Sequence, residues 1–179
     1  MKIKQIVGAL ALTSGLVFAG GFTLQSNDLG GQITKAQEAA AFGCDGANMS
    51  PELHWSNAPA GTKSFAITVY DPDAPTGSGW WHWVVFNIPA STTALPTNFG
   101  DVSKTFPIRA TQSIADSGKA GFFGACPPKG DKAHRYIFTV HALSIEKLDL
   151  DEKASPALVG FMLGANTLAK ATLVSYHQR

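Results

Sequence analysis

Polar side chains able to bind an anion or transfer a proton are concentrated in three segments of the sequence. Histidine, aspartate and tyrosine supply the donors, acceptors and titratable groups that such chemistry requires. Each segment lies at or beside the end of a predicted strand, where a pocket can open at the edge of a sheet. The segments are Asp71-Pro72-Asp73-Ala74-Pro75, Trp80-Trp81-His82-Trp83, and Cys126-Pro127-Pro128-Lys129-Gly130 followed by His134-Arg135-Tyr136.

Alternation of side chains along a strand narrows the candidates. In the segment that begins at His134, His134 and Tyr136 share one face of the strand and Arg135 lies on the other. In the tryptophan-rich segment, the same rule places His82 on the face opposite Trp83. Singly, each segment also has an ordinary structural interpretation, as an Asp-Pro turn, a packed aromatic cluster or a buried core histidine.

Familiar catalytic motifs do not match the sequence. Gly118-Lys119 lacks the preceding glycine of a phosphate-binding loop, and no His-Glu-x-x-His pattern occurs. No serine has the Gly-x-Ser-x-Gly context of an activated nucleophile. The sequence therefore predicts no catalytic residue, no metal ligands and no cofactor. The alternative is a hydrolase that uses Asp71, His82 and His134 for acid–base work or as ligands of one metal ion.

The strands that carry these segments are the clearest predicted elements. Strands are predicted from Lys63 to Tyr70, from Trp80 to Ile88 and from His134 to Leu143, with shorter ones near Phe22–Leu29 and Ala171–His177. The first of the three long strands is largely apolar on both faces, so we expect it to be covered on both sides.

A helix is predicted to begin at Ser155-Pro156, with the serine hydroxyl as its cap. Apolar residues recur after it at helical spacing and predict a stripe that packs on a sheet. These residues are Leu158, Phe161, Met162, Ala165 and Leu168. The fold class predicted is a mainly β, antiparallel domain with one or two flanking helices.

Composition favours one folded domain. The chain has 179 residues, of which 45% are hydrophobic and 15% charged, a balance that permits a substantial core. The formal net charge is +1, with 14 basic and 13 acidic residues, and no run of lysine or arginine occurs. The basic surface expected of a nucleic-acid-binding protein is therefore missing, which argues against nucleic acid as a partner.

The first residues resemble an export signal. Lys2 and Lys4 precede an apolar stretch from Ile6 to Phe18, and Ala19 comes just before Gly20. We therefore expect residues 1–19 to be a signal peptide, residues 20–179 to form a single domain, and the protein to be periplasmic or secreted. A membrane anchor is the alternative, although the apolar stretch is shorter than the ~20 residues that a spanning helix needs.

Export determines how the two cysteines are interpreted. Cys44 and Cys126 are the only thiols in the sequence, and an oxidising compartment favours a disulfide between them. Two buried free thiols are the alternative.

The polar segments together resemble the phosphatidylethanolamine-binding protein family, in its bacterial branch of Raf kinase inhibitor-like proteins. The resemblance runs from about Phe22 to the end of the chain. The matching pieces are Ser50-Pro51-Glu52-Leu53, Tyr70-Asp71-Pro72-Asp73-Ala74-Pro75, Trp81-His82-Trp83, Cys126-Pro127-Pro128-Lys129-Gly130 and His134-Arg135-Tyr136.

This resemblance implies a large antiparallel sheet packed on a smaller one, with helices at the side. It also implies a small anion pocket and a cis peptide bond between Ala74 and Pro75. By motif, the pocket residues are Asp71, His82, Pro128, His134 and Tyr136, with backbone from the loop around Cys126.

The ligand implied is a phosphate ester or other small anion, including a phospholipid head group contacted from the membrane surface. We expect Asp71 to accept a hydrogen bond from an imidazole and to favour its charged form. We expect Tyr136 to donate to a phosphate oxygen and binding to strengthen as pH falls. Inhibition or modulation of a protein partner is a further expectation. The oligomeric state is left open, a homodimer included.

Overall fold

The computed structural model describes residues 20–179, and the predicted signal peptide lies outside the described residues. Within this range the chain forms eight strands and one helix. In chain order they are β1 (Thr23–Gln25), β2 (Leu53–Ser56), β3 (Ser64–Asp71), β4 (Trp80–Pro89), β5 (Ala94–Leu95), β6 (Thr111–Gln112), β7 (His134–Leu143), α1 (Pro156–Asn166) and β8 (Thr167–His177).

The strands form two antiparallel sheets. The large sheet has the order β6-β4-β3-β7-β8, and the small sheet has the order β1-β2-β5. Four long strands are neighbours in the large sheet, and three of them, β3, β4 and β7, are those predicted most clearly from the sequence. The fourth, β8, begins at Thr167 rather than at the predicted Ala171. The predicted fold class, a large antiparallel sheet packed on a smaller one with a flanking helix, is confirmed.

Strand β3 lies at the centre of the large sheet and is covered on both sides, as its sequence predicted. Phe65, Ile67 and Val69 point into the core between the two sheets. Ala66 points to the opposite face, where the helix α1 covers it. Because both faces of this strand are largely apolar, burial on both sides is the arrangement that removes most apolar surface from water.

The helix begins where the sequence predicted. Pro156 is its first residue, and the hydroxyl of Ser155 accepts a hydrogen bond from the backbone N–H of Leu158 at 3.3 Å. The helix has 11 residues, and no helix within residues 20–179 is long and apolar enough to cross a bilayer.

The predicted packing face of this helix is largely wrong, although Met162 of the predicted stripe does pack against the core. Leu158 is 45% exposed and Phe161 is 74% exposed, whereas Val159 and Leu163 are buried against the sheet. Leu168, the last residue of the predicted stripe, already belongs to β8. The segment is apolar on nearly every side, so spacing alone does not distinguish the face that the sheet covers.

A buried histidine lies between this helix and the large sheet, on the face of β7 that points away from the small sheet. The Thr167 hydroxyl donates to the Leu163 carbonyl at 2.7 Å, so it can only accept from His141 Nδ1, at 3.3 Å. The Thr68 hydroxyl, at 3.3 Å, then donates to the other ring nitrogen. Burial, with a smaller effect of Lys170, lowers the pKa of His141 to about 4, so the ring is neutral at neutral pH.

Acidification is expected to destabilise the protein through His141. The folded pKa of His141 lies below its unfolded value. The neutral ring therefore stabilises the folded state fully above about pH 6.5, and this contribution is lost as pH falls toward about pH 4. The difference between the unfolded and folded pKa values of His141 corresponds to about 3 kcal/mol of unfolding free energy. Urea denaturation of the wild type and of His141→Gln over this pH range measures it. An equally steep loss in the variant would assign the effect to other groups.

Candidate functional site

A cavity opens where β3 ends and where β4 and β7 begin. Its volume is about 340 Å³. Asp71 is the last residue of β3, His82 is the third residue of β4, and His134 is the first residue of β7. All of the ligand-binding residues predicted from the sequence line this one cavity; they are Asp71, His82, Cys126, Pro128, His134 and Tyr136. That they bind a ligand stays a prediction.

His82 reaches the cavity through a β-bulge that the sequence does not reveal. Val69 pairs with Trp83, but Tyr70, the next residue of β3, pairs with Trp81. His82 is therefore an extra residue in β4, and such a residue resets the alternation of side chains. The prediction that His82 lies on the face opposite Trp83 is wrong, because the bulge turns both side chains toward the core between the sheets.

A buried ion pair forms the floor of the cavity. Asp71 is 2% exposed. His134 Nδ1 donates to Asp71 Oδ2 at 2.7 Å, and the backbone N–H of Asp73 donates to Asp71 Oδ1 at 2.8 Å. The other nitrogen of His134, Nε2, donates to Asp131 Oδ2 at 3.2 Å. The hydrogen bond from an imidazole to Asp71, expected from the sequence, is therefore present in the structure.

The pKa values of the two histidines move in opposite directions. Burial lowers the pKa of His134, but the hydrogen bonds to Asp71 and Asp131 outweigh it and the net direction is upward. Burial lowers the pKa of His82, and the Phe123 carbonyl and the charge of Asp71 offset only part of this effect. The floor of the cavity therefore holds one imidazole that favours the charged form and one that favours the neutral form.

The proton of neutral His82 is assigned from its partner. His82 Nδ1 lies 2.8 Å from the carbonyl oxygen of Phe123, and a carbonyl only accepts, so Nδ1 carries the hydrogen. Within residues 20–179 the second nitrogen, Nε2, makes no hydrogen bond. A lone pair on this nitrogen is thus free for a ligand.

Tyr136 contributes a second free group. Its ring meets that of His82 edge to face, with 5.1 Å between the ring centroids, and its hydroxyl has no hydrogen-bond partner in the described part of the chain. Burial, followed by the charges of Asp71 and Asp73, raises the pKa of Tyr136. The phenol therefore keeps its proton and can donate it to a bound acceptor.

The walls of the cavity are mainly apolar. They are formed by Phe42, Ala74, Pro75, Trp80, Phe123, Pro127 and Pro128, among others. Phe42 and Phe123 were not predicted from the sequence as part of the site. Each lies in a loop shortly before one cysteine of the disulfide, Phe42 before Cys44 and Phe123 before Cys126. Phe42 is 71% exposed and has a φ of 53°, a conformation that is uncommon for a bulky residue. The sequence feature that could have identified Phe42 is its position next to Gly43 and Cys44.

Two links tie the walls together. Cys44 and Cys126 form the predicted disulfide. The guanidinium of Arg179 bridges the same two loops, donating to the Gly43 carbonyl at 2.7 Å and to the Pro127 carbonyl at 3.0 Å.

The cis bond expected before Pro75 is not present. The Ala74–Pro75 bond is trans, the form that an X–Pro bond favours by about 0.5–1 kcal/mol. The turn closes instead through a hydrogen bond from the Thr76 N–H to the Ala74 carbonyl at 2.8 Å. Pro75 still reaches the cavity wall.

A metal-dependent hydrolase would need several side chains arranged around one ion. Within residues 20–179 no group of three or more His, Cys, Asp or Glu side chains is placed to hold a metal ion. Asp71 and His134 are turned toward each other, and His82 donates to a backbone carbonyl.

Comparison with known proteins identifies the family to which this chain and its fold belong. The family described as phosphatidylethanolamine-binding protein matches residues 24–178. The UPF0098 protein YbcL of Escherichia coli is 50% identical over 181 residues, which cover 99% of each chain. YbhB of the same organism is 53% identical over 154 residues, covering 85% of this chain and 97% of its own.

Solved structures agree. The crystal structure of E. coli YbcL, described as a new member of the mammalian PEBP family, superimposes with a TM-score of 0.86 and 52% identity. It covers 89% of this chain and 99% of YbcL. A homologue from Chlamydia trachomatis superimposes with a TM-score of 0.73 and 27% identity, covering 89% of this chain and 98% of its own. The chain belongs to the phosphatidylethanolamine-binding protein family.

Proposed function

We propose that this protein binds a small anionic or phosphorylated group in the cavity at the end of the large sheet. The observation that carries the proposal is the pair of free polar groups at its floor, the Tyr136 hydroxyl and His82 Nε2, beside the buried His134–Asp71 pair. We further propose that residues 1–19 direct export and that the domain acts in the periplasm or outside the cell.

Charge in the cavity is arranged so that an anion can approach. Asp71 alone would repel an anion, but His134 neutralises it through the 2.7 Å contact. The apolar walls exclude water and strengthen the remaining electrostatic interactions. Because few charged hydrogen bonds are available, we expect a dissociation constant on the order of 0.1–1 mM for bare phosphate.

The same cavity fits the head group of a phospholipid better than its acyl chains. Its volume of about 340 Å³ lies at the lower end of the range for small-molecule sites. A phospholipid would therefore be held from the membrane surface, by its head group. Modulation of a protein partner would use the rim, where Phe42 is exposed next to Trp80 and Phe123.

Substituting Tyr136 by phenylalanine is expected to weaken binding of phosphoethanolamine by about tenfold, because one donor to the phosphate is lost. The free energy of unfolding is expected to stay within about 0.5 kcal/mol, since the hydroxyl has no partner to lose. Titration at about pH 6, followed by the ring resonances of His82 and His134, measures the affinity.

Tyr176→Phe is the matched control, because Tyr176 lies exposed on β8, outside the cavity lining. If phosphoethanolamine does not bind to the wild type, or binds equally to Tyr136→Phe, the proposed site is wrong. Turnover of a phosphate ester that His82→Gln abolishes would favour the hydrolase alternative instead.

A further inference from the structure

We propose that the protein has a second ligand site, a cavity on the outer face of the large sheet that takes a small monocarboxylic acid with an aromatic body. The cavity has a volume of about 240 Å³. It lies between α1 and the strands β3, β4, β7 and β8, on the face that points away from the small sheet. Among the described residues, it shares none of its lining with the cavity that contains Asp71 and His134.

A row of three threonines crosses the floor of this second cavity. Thr68 of β3 pairs with Thr139 of β7, and Thr139 pairs with Thr172 of β8. All three line the cavity. Side chains that lie directly opposite each other on one face of a sheet have Cβ atoms about 4.5–5.5 Å apart. The three hydroxyls therefore lie side by side across neighbouring strands.

The central hydroxyl of the row is buried and has no partner. Thr139 is 9% exposed, and its hydroxyl makes no hydrogen bond in the described part of the chain, while the cavity leaves it accessible. Polar groups at this depth are normally paired, so a ligand can supply the missing acceptor. The Thr68 hydroxyl differs, because it donates to His141 Nε2 at 3.3 Å and can only accept a further bond.

Two more donors lie beside Thr139, on β8. The Tyr176 backbone bonds to the loop between β1 and β2 rather than to β7, so Thr172, four residues earlier, also belongs to a non-hydrogen-bonded pair with β7. Cα atoms in such pairs are about 4.5 Å apart, which brings the hydroxyls of Thr139 and Thr172 within reach of one carboxylate. Lys170 lies two residues before Thr172, on the same face, and its side chain is exposed.

The charge of this cavity favours an anion. Of the described residues that line it, Lys170 alone is charged at neutral pH, because burial keeps the His141 ring neutral. Both nitrogens of that ring already have partners, in Thr68 and Thr167, so the ring offers a ligand no donor. The donors that remain are one ammonium and two hydroxyls, and they match the acceptor oxygens of one carboxylate.

The other end of the cavity is aromatic. The rings of Tyr70 and Trp81 are in contact, with centroids 4.6 Å apart, and both residues are half-buried. Ile137 pairs with Tyr70 and continues this apolar wall on β7. It lies two residues from Thr139, about 6.6 Å along the strand. A two-carbon linker between a carboxylate and an aromatic ring spans a similar distance, so one small molecule can contact both ends.

Three probes that share one ring and one linker length test the site at neutral pH. They are 3-phenylpropionate, 3-phenylpropanol and 3-phenylpropylamine, each titrated into the wild-type protein and followed by amide NMR. We expect a dissociation constant on the order of 1 mM for 3-phenylpropionate. The amine should bind at least about tenfold more weakly, because Lys170 repels it. The amide signals of Thr139 and Thr172 should shift, and those of His82 and His134 should not.

Two variants remove separate features of the site. Thr139→Val deletes the free hydroxyl, keeps the shape of the side chain, and is expected to weaken binding of 3-phenylpropionate about tenfold. Gly160→Leu fills the space beneath α1, where an added Cβ meets no atom within 4 Å, and is expected to abolish binding. Gly164→Leu is the matched control, because Gly164 of the same helix also faces open space but lies outside the cavity lining.

Several results would overturn the second site. They are no binding of 3-phenylpropionate, equal affinity for the amine, unchanged binding by Gly160→Leu, or amide shifts confined to the cavity of His82 and His134. Phosphoethanolamine is expected to bind Gly160→Leu as it binds the wild type, since Gly160 is remote from that cavity lining. The second site and the proposed function can therefore fail independently of each other.

Discussion

Replacing Cys44 and Cys126 together by serine is expected to lower the free energy of unfolding by about 4 to 5 kcal/mol. The two cysteines are 82 residues apart in sequence, and a bridge over so long a loop removes much of the conformational entropy of the unfolded chain. The native state should change less, because Arg179 still joins Gly43 to Pro127 by two hydrogen bonds.

Urea denaturation of the oxidised wild type, the reduced wild type and the double variant measures this effect. The last two should have similar stability, and a reductant should leave the variant unchanged. The cavity walls of the folded variant should remain in place, so phosphoethanolamine affinity is expected to fall much less than stability. A variant as stable as the oxidised wild type would show that the bridge does not constrain the unfolded chain.

The long strands could be predicted from the sequence because apolar residues occupy much of both faces of each strand. Strand β7 spans the predicted residues His134–Leu143. Strand β3 is shifted by one residue at both ends, and β4 extends one residue beyond its predicted end. Since the cavity lies where these strands begin and end, predicting the strands placed the three polar segments at strand ends, and the family resemblance then selected the pocket residues among them.

The rest of the site depends on contacts that no local pattern contains. The bulge at His82 arises from the register between β3 and β4, a property of two strands together. Phe123 reaches the cavity because its loop is held by remote partners: its N–H donates to the His82 carbonyl at 2.8 Å, and the Gly124 N–H donates to Asn48 Oδ1 at 2.8 Å. The packing face of α1 was missed for a different reason, since both faces of that helix are apolar.

Asp71 and Asp131 differ in burial, and burial decides how much each carboxylate contributes to stability. Both carboxylates accept from His134, one at 2.7 Å and one at 3.2 Å. The side chain of Asp71 is 3% exposed and that of Asp131 is 39% exposed. Removing the partner of a buried charge leaves that charge uncompensated, whereas an exposed pair is replaced by water at little cost.

Substituting Asp71 by asparagine is therefore expected to lower the free energy of unfolding by about 3 kcal/mol or more near pH 6. Both Asp71 oxygens accept hydrogen bonds, from His134 Nδ1 and from the Asp73 N–H. An amide offers one acceptor and one donor, so it fits only if His134 becomes neutral and turns a lone pair toward it.

The pH dependence of this effect has a definite sign. The folded pKa of His134 is raised, so its charge stabilises the wild type fully below about pH 6.5, and this contribution is lost as pH rises through the folded pKa. The difference between wild type and Asp71→Asn should accordingly shrink toward about pH 9. Urea denaturation at about pH 6 and about pH 9 measures this difference. Asp131→Asn is the matched control, with an expected loss of unfolding free energy of about 1 kcal/mol or less. Equal losses in the two variants would mean that burial does not set the strength of the Asp71 contact.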